Sequence, residues 1–269
     1  MELVLVRHAE SIWNAEDRWQ GQTDVPLSEQ GRREARALGE RLARIEVDLV
    51  VSSDLSRARD TAAAVLHAMT SAGAVPRSME HRGLREMDLG AWCGLPHAEV
   101  LARHAEEVEA LQRGDDRAIG GTGESLPRFE ARVHEALGEV LASAPDARRV
   151  LVVTHGGCIR GVLMRLLGLR GRKRPLEGAG NTSLTSLDVE GDRVARLVTY
   201  NDATHLGRAP HGRTVEGHEG RAQAIEALGL APDAPLAPAP EGSSTTVVPE
   251  ARRLVRYAVP GTGLRSVVR

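Results

Sequence analysis

Two histidines follow two of the most uniformly apolar runs in the chain. Arg7-His8-Ala9-Glu10 comes directly after Leu3-Val4-Leu5-Val6, and Thr154-His155-Gly156-Gly157 directly after Val150-Leu151-Val152-Val153. Short apolar runs bounded by polar residues read as buried strands, and open α/β sheets gather their reactive groups in the crevice beyond strand ends. The two imidazoles are therefore expected to meet in one crevice. A third run, Val47-Asp48-Leu49-Val50-Val51, ends in Ser52-Ser53-Asp54, with Arg57 four residues beyond Ser53. Arginine offers a rigid fork of donors suited to phosphate oxygens, and Gly156-Gly157 at the mouth of a helix can present backbone N–H groups to an anion. The convergence reads as a phosphate site.

A neutral imidazole attacks phosphorus when one ring nitrogen is held as N–H by a backbone acceptor and the other is left free. His8, between Arg7 and a tight turn, is the better candidate for that nucleophile. Departure of an alcohol needs an acid, and Glu86 stands out for it in the glycine-rich stretch Leu84-Arg85-Glu86-Met87-Asp88-Leu89-Gly90-Ala91-Trp92-Cys93-Gly94. Trp13, Trp19 and Trp92 all fall in these loops and are expected to wall the cleft.

The elements that must position these groups follow from periodicity. Glu2 to Val6 reads as a strand, and Ser28 as the cap of a helix with Ala35, Leu38, Leu42 and Ile45 at helical spacing. The Val47 to Val51 strand leads into a helix marked by Ala58, Ala62, Val65, Leu66 and Met69. Further helices are expected from Pro96 to Leu111, from Ser125 to Leu141, and through Ile159, Val162, Leu163, Leu166 and Leu167, with late strands at Ser183 to Val189 and Val194 to Thr199. Such alternation predicts an α/β fold, a three-layer sandwich whose mostly parallel central sheet is flanked by helices. The pattern dissolves beyond about Asn201. A domain over 1–205 is expected, then an extension over 206–269 with a proline-alanine linker (Ala231 to Pro240), a short helix at Arg221 to Leu228 and one late strand within Arg253 to Val259. That extension is expected to be dispensable for folding.

The chain has 269 residues and a formal net charge of -2, which gives no electrostatic reason to expect nucleic acid or a membrane surface as partner. Its two cysteines, Cys93 and Cys158, form no Cys-x-x-Cys pair, and no leader-like segment opens the chain; a cytoplasmic, reduced protein is expected. His8-Ala9-Glu10 mimics half of a zinc deaminase site, but the Pro-Cys-x-x-Cys half is absent, so no metal and no cofactor are expected. His97, His104, His205, His211 and His218 read as surface residues, and Cys158 as a small buried one.

Taken together, four segments resemble the histidine phosphatase superfamily, which includes cofactor-dependent phosphoglycerate mutases and many phosphomonoesterases. They are Arg7-His8-Ala9-Glu10-Ser11 with Trp13-Asn14, the run from Gln20-Gly21 to Gly31, Ser52-Ser53-Asp54-Leu55-Ser56-Arg57-Ala58 with Thr61-Ala62, and Thr154-His155-Gly156-Gly157. The likeness covers about residues 2 to 205. It implies a phosphoglycerate mutase-like fold and a phosphohistidine at His8. It implies that Arg7, Arg57 and His155 clamp the phosphoryl oxygens, that Asn14, Gln20, Gly21 and Gly156 line the same pocket, and that Glu86 donates and recovers a proton. Ala9 stands where glycine is commoner in that family, and a positive φ there would strain it. Gly156 stands where some members carry an acidic aspartate, which leaves Glu86 as the matching donor.

The activity this implies is a phosphomonoesterase acting on a small phosphorylated metabolite, with a homodimer admitted. The alternative is phosphoglycerate mutase-type transfer. Mutases of the family carry a longer insertion after the Glu86 region, whereas here only Leu95 to Gly120 precedes Gly121-Thr122-Gly123-Glu124-Ser125. A non-catalytic phosphometabolite-binding protein is the third reading. Sugar phosphate, phosphoglycerate derivative, nucleotide and phosphoprotein all fit as substrates.

Overall fold

Strand β1 (Glu2–Arg7) shows how the sheet is built. Its side chains alternate between two cores: Leu3 and Leu5 join one buried cluster with Leu49, Val51, Val150 and Val152, while Val4 and Val6 join another with Val50, Leu151 and Val153. Continuous apolar runs are what a strand needs when both faces are covered. The computed structural model describes residues 1–113, 115–166, 178–190 and 193–207, with the pairs 256–257 and 265–266.

In chain order the elements that follow are helices α1 (Ile12–Ala15) and α2 (Glu29–Leu42), strand β2 (Leu49–Ser52), α3 (Ser56–Ser71), β3 (Arg77–Glu80), α4 (His97–Arg103), α5 (Ala105–Arg113), α6 (Leu126–Ala142), β4 (Arg149–Thr154), α7 (Gly156–Leu166), β5 (Leu184–Glu190) and β6 (Arg193–Asp202). The sheet order is β3-β2-β4-β1-β5-β6. The four strands from β3 to β1 run parallel, and β5 and β6 add an antiparallel edge. Leu38 and Leu42 of α2 and Val65 and Met69 of α3 cover one face; Phe129, Val133 and Leu137 of α6 and Ile159 and Leu163 of α7 cover the other. The expected three-layer α/β architecture is the one observed.

Two elements depart from the periodicity. The helix expected from Pro96 to Leu111 breaks at His104 (φ -126, ψ 33), whose ring packs on Trp92 at 5.8 Å and bonds Glu107. Strand β3 escapes a search for apolar runs because Arg77, Ser78, Met79 and Glu80 are all exposed on the sheet edge; only backbone pairing to β2 defines it. Beyond residue 207, the expected helix at Arg221 to Leu228 and the proline-alanine linker lie outside the described residues. Within the expected late strand, Arg256–Tyr257 pairs antiparallel with Arg265–Ser266.

Because β4 lies between β1 and β2, the residues just past the three strands end side by side. Register carries one step beyond the strands: His8 N–H donates to Thr154 O (2.9 Å) and Ser53 N–H to Val153 O (2.9 Å). The loop after His8 is then clamped onto α2. Ser28 caps that helix by accepting Gly31 N–H (2.9 Å) and donates its own hydroxyl to Glu10 (2.6 Å). A Cβ at Gly31 would stand 1.9 Å from Glu10 O, so only glycine lets the helix lie against the loop. Gly31→Ala should destabilise the fold by about 2 kcal/mol or more, the usual scale of overpacking, lowering the melting temperature by roughly 4–8 °C. Calorimetry or circular dichroism reads the shift, and an unchanged melting temperature would show that the loop is free to move off the helix.

Candidate active site

His8 is buried, and its Nδ1 lies 2.7 Å from the carbonyl oxygen of Ala9. A carbonyl only accepts, so Nδ1 carries the proton and Nε2 keeps its lone pair. Burial and the nearby Arg57 and Arg7 guanidinium groups hold the pKa of His8 well below the ordinary 6.5, so the ring is neutral. Ala9 is not among the positive-φ residues, which removes the strain that alanine here would otherwise carry. Its N–H donates to Thr61 Oγ1 (3.0 Å), and the Thr61 hydroxyl donates to Arg57 O (2.7 Å), tying the loop after His8 to the first turn of α3.

His155 stands behind His8, wholly buried, with ring centroids 5.1 Å apart. Its pKa is likewise held well below 6.5, by burial and then by Arg57 and His8. Its Nε2 shares a hydrogen bond of 2.9 Å with the Ser53 hydroxyl, which also accepts Leu55 N–H. Nδ1 is buried, with no partner among the described residues.

The two arginines are held through backbone oxygens. Arg57 donates to Thr23 O (2.8 Å) and Gly21 O (2.8 Å), and Arg7 to Ala179 O (2.6 Å). Their Nε atoms are both buried without partners among the described residues. Burial lowers Arg57 to about 10, which keeps it cationic at neutral pH. Gly21 has φ +51, and a Cβ there would meet Cys93 Sγ at 2.8 Å, so the carbonyl that holds Arg57 depends on glycine. Ser11, buried between two amides, organises the rim: its hydroxyl donates to Gln20 Oε1 (2.7 Å) and its N–H to Asn14 Oδ1 (3.2 Å). Both amides are thereby anchored through oxygen, with their NH2 ends left as donors. Arg7, His8, Asn14, Gln20, Gly21, Arg57, Glu86 and Gly156 all border one cleft of about 540 Å³.

Glu86 completes the floor, and it changes the expected role of the glycine pair. Gly157 N–H, expected to be open to an anion, donates to Glu86 Oε2 (3.0 Å), while Met87 N–H donates to Oε1 (2.9 Å). A Cβ at Gly157 would lie 2.1 Å from Oε1, so this glycine makes room for the carboxylate. The loop bearing Glu86 is fixed from behind. Arg132 on α6 donates to Gly83 O, Arg85 O and Glu86 O and pairs with Glu124 at 2.7 Å, and Arg85 forks onto Asp54 at 2.6 and 2.7 Å.

Several expectations need correction. Trp19 and Trp92 border the cleft, Trp92 as a fully buried core residue, but Trp13 does not and instead lies over Gly94. His97 is no plain surface residue: it meets Trp19 edge-on at 4.5 Å and lines the cleft. His104 packs on Trp92, and His205 is enclosed by Thr182 (3.0 Å) and Arg41 (3.2 Å), with burial lowering its pKa to about 4. His211 and His218 lie outside the described residues. Cys158 is buried as expected, and burial pushes its thiol pKa up. Among the described residues no three His, Cys, Asp or Glu side chains group as a metal site, and no helix is long and apolar enough to cross a membrane.

Ser53, Thr61 and Ser11 fall within the segments singled out above but had no role assigned there, and Arg132 falls in none of them. Ser53 also had a positional signal, since it follows β2 as His8 and His155 follow their strands.

Residues 3–203 match the family model of the histidine phosphatase superfamily, branch 1. The chain belongs to that superfamily. It is 34% identical over 209 residues to a metal-independent phosphoserine phosphatase of Arabidopsis thaliana, covering 76% of this chain and 83% of that one. It is 39% identical over 165 residues to a 2,3-bisphosphoglycerate-dependent phosphoglycerate mutase of Gloeobacter violaceus, covering 61% and 74%. Among solved structures, a mycobacterial glucosyl-3-phosphoglycerate phosphatase in complex with VO3 superposes with a TM-score of 0.59 at 39% identity, covering 70% of this chain and 92% of that one. The family and these relatives support phosphoryl-transfer chemistry.

The two buried imidazoles also have a thermodynamic consequence. Above the ordinary value of 6.5 both are neutral folded and unfolded, so they add no pH dependence. As pH falls through that value the unfolded chain takes up protons that the fold refuses, and stability drops by up to about 1.4 kcal/mol per pH unit for each ring. Nitrogen-15 NMR near pH 6 should show both rings neutral, with the His8 proton on Nδ1, and denaturant titrations should lose stability from about pH 6.5 to 5.5. A His8 ring in the folded protein that titrates at its ordinary value would contradict this electrostatic account.

Proposed function

We propose that the chain is a metal-independent phosphomonoesterase that hydrolyses a small phosphorylated metabolite through a phosphohistidine on His8. The observation that carries this reading is the neutral His8 with Nε2 free, set beside two buried guanidinium groups and a carboxylate on one cleft floor. Nε2 attacks phosphorus as the bond to the alcohol oxygen breaks, and protonated Glu86 gives that oxygen its proton. Glu86, now a carboxylate, takes a proton from water; the resulting hydroxide attacks phosphorus, the His8–phosphorus bond breaks and phosphate leaves. Arg7 and Arg57 supply the positive charge that phosphoryl transfer requires, and we read His155, whose ring stands 5.1 Å from that of His8, as the third group that holds the phosphoryl oxygens. The Asn14 and Gln20 amides and the Gly156 edge of α7 border that anion. Three buried nitrogens with no partner among the described residues, Arg7 Nε, Arg57 Nε and His155 Nδ1, suit a site completed by an anion. We place the enzyme in the cytoplasm and read residues 1–205 as the catalytic unit.

A mutase reading is favoured by the likeness to the Gloeobacter enzyme. It uses the same first step and differs in the acceptor, a hydroxyl in place of water.

Glu86→Gln tests the acid directly. Alkyl phosphates, whose alcohols need a proton to leave, should lose about 10²-fold or more in kcat/KM, while p-nitrophenyl phosphate loses far less. Equal losses on both would reassign the acid. His8→Ala should remove turnover of every ester, and chelator should leave wild-type rates unchanged; phosphoglycerate isomerised faster than it is hydrolysed would favour the mutase.

A further inference from the structure

The cleft extends well beyond the phosphate pocket, and its electrostatic character changes on the way out. On the floor, Arg7 and Arg57 donate to the carbonyl oxygens of Ala179, Thr23 and Gly21, with Glu86 the acid that acts on both. Farther out, two arginines that border the cleft stand with acids. Arg18 Nε lies 2.8 Å from Glu16 and Arg113 Nη2 lies 2.8 Å from Asp115, while the His97 ring bonds Asp17 at 2.5 Å and Arg160 and Glu130 both border the opening. Between these charges the described residues place an apolar stretch of wall. Trp19, Leu111 and Leu126, each only partly covered by the core, border the opening together with Phe129 and Met164.

From this contrast we propose that the alcohol half of the substrate is an uncharged aliphatic or aromatic group seated on the Trp19, Leu111 and Leu126 wall. The inference rests on the phosphomonoesterase reading and adds the substrate class to it. A polyhydroxylated alcohol laid on the Trp19, Leu111 and Leu126 side chains would give up hydrogen bonds to water that apolar groups do not replace, and a second acidic group would compete with Glu16 and Asp115 for Arg18 and Arg113. An alkyl or aryl group gains from leaving water, at a rate set by the area it covers. A cleft of about 540 Å³ holds such a group in addition to the phosphate.

The test is a series of linear alkyl monophosphates from ethyl to hexyl, with glycerol 3-phosphate, glucose 6-phosphate, 3-phosphoglycerate and p-nitrophenyl phosphate alongside. Simple alcohols in the series leave with nearly equal basicity, so a trend in kcat/KM reports contact with the wall rather than chemistry. The expected result is a rise of about twofold to fourfold per methylene, with hexyl phosphate ahead of all three polar metabolites. Leu126→Asn and Leu111→Asn should each reduce the rise per methylene. A flat alkyl series, or a polar metabolite turned over faster than hexyl phosphate, would overturn the proposal while leaving the phosphatase reading intact. If no ester is hydrolysed, p-nitrophenyl phosphate included, the phosphatase reading itself fails.

Discussion

The 2.7 Å hydrogen bond from His8 Nδ1–H to the carbonyl of Ala9 decides which nitrogen of the ring can act. It fixes the tautomer, and the surroundings fix the charge. Burial together with Arg57 and Arg7 makes a protonated ring too costly, so the lone pair on Nε2 persists at neutral pH. The same cations that forbid an imidazolium also favour an arriving phosphate. In the proposed reaction one arrangement therefore serves both activation of the nucleophile and recognition of the electrophile.

Holding a neutral ring among buried cations requires that nothing nearby can move. The positioning groups act in a chain that crosses the sheet: Thr61 joins Ala9 to Arg57, the carbonyls of Gly21 and Thr23 hold the Arg57 fork, and Ser53 orients His155. A second chain fixes Glu86, from Glu124 through Arg132 to its backbone, with Gly157 N–H on the carboxylate itself. Most links join residues far apart in sequence, and together they hold His8 and Glu86 on one cleft. Preorganisation of this kind is where phosphoryl-transfer sites gain most of their rate.

Much of this was legible because the chemistry sits at strand ends. Apolar runs located β1, β2 and β4, and a parallel sheet aligns the residues that follow such runs, so the pairing of His8 with His155 needed no contact information. Ser28 as a helix cap was readable for the same reason, being a local signal. What escaped was tertiary. Arg132 looks like any helical arginine until α6 packs beneath the Glu86 loop, and Thr61 looks like a helix residue until its hydroxyl meets Ala9. Strand β3 carries no apolar signal because it lies exposed at an edge. The role of Gly157 was misread because two partners, a phosphate and a side-chain carboxylate, suit a helix N-terminus equally well, and only the fold brings Glu86 there.

The central claim is that Nε2 of His8 takes the phosphoryl group. Rapid quenching of the wild-type enzyme with phosphorus-32-labelled p-nitrophenyl phosphate, followed by alkaline digestion and mass spectrometry of the labelled peptide, tests it most directly. The account predicts an acid-labile, base-stable phosphoenzyme formed as fast as turnover requires, with the label on Nε2 of His8. Label on another residue, or steady turnover with no phosphoenzyme under conditions that preserve phosphohistidine, would contradict it.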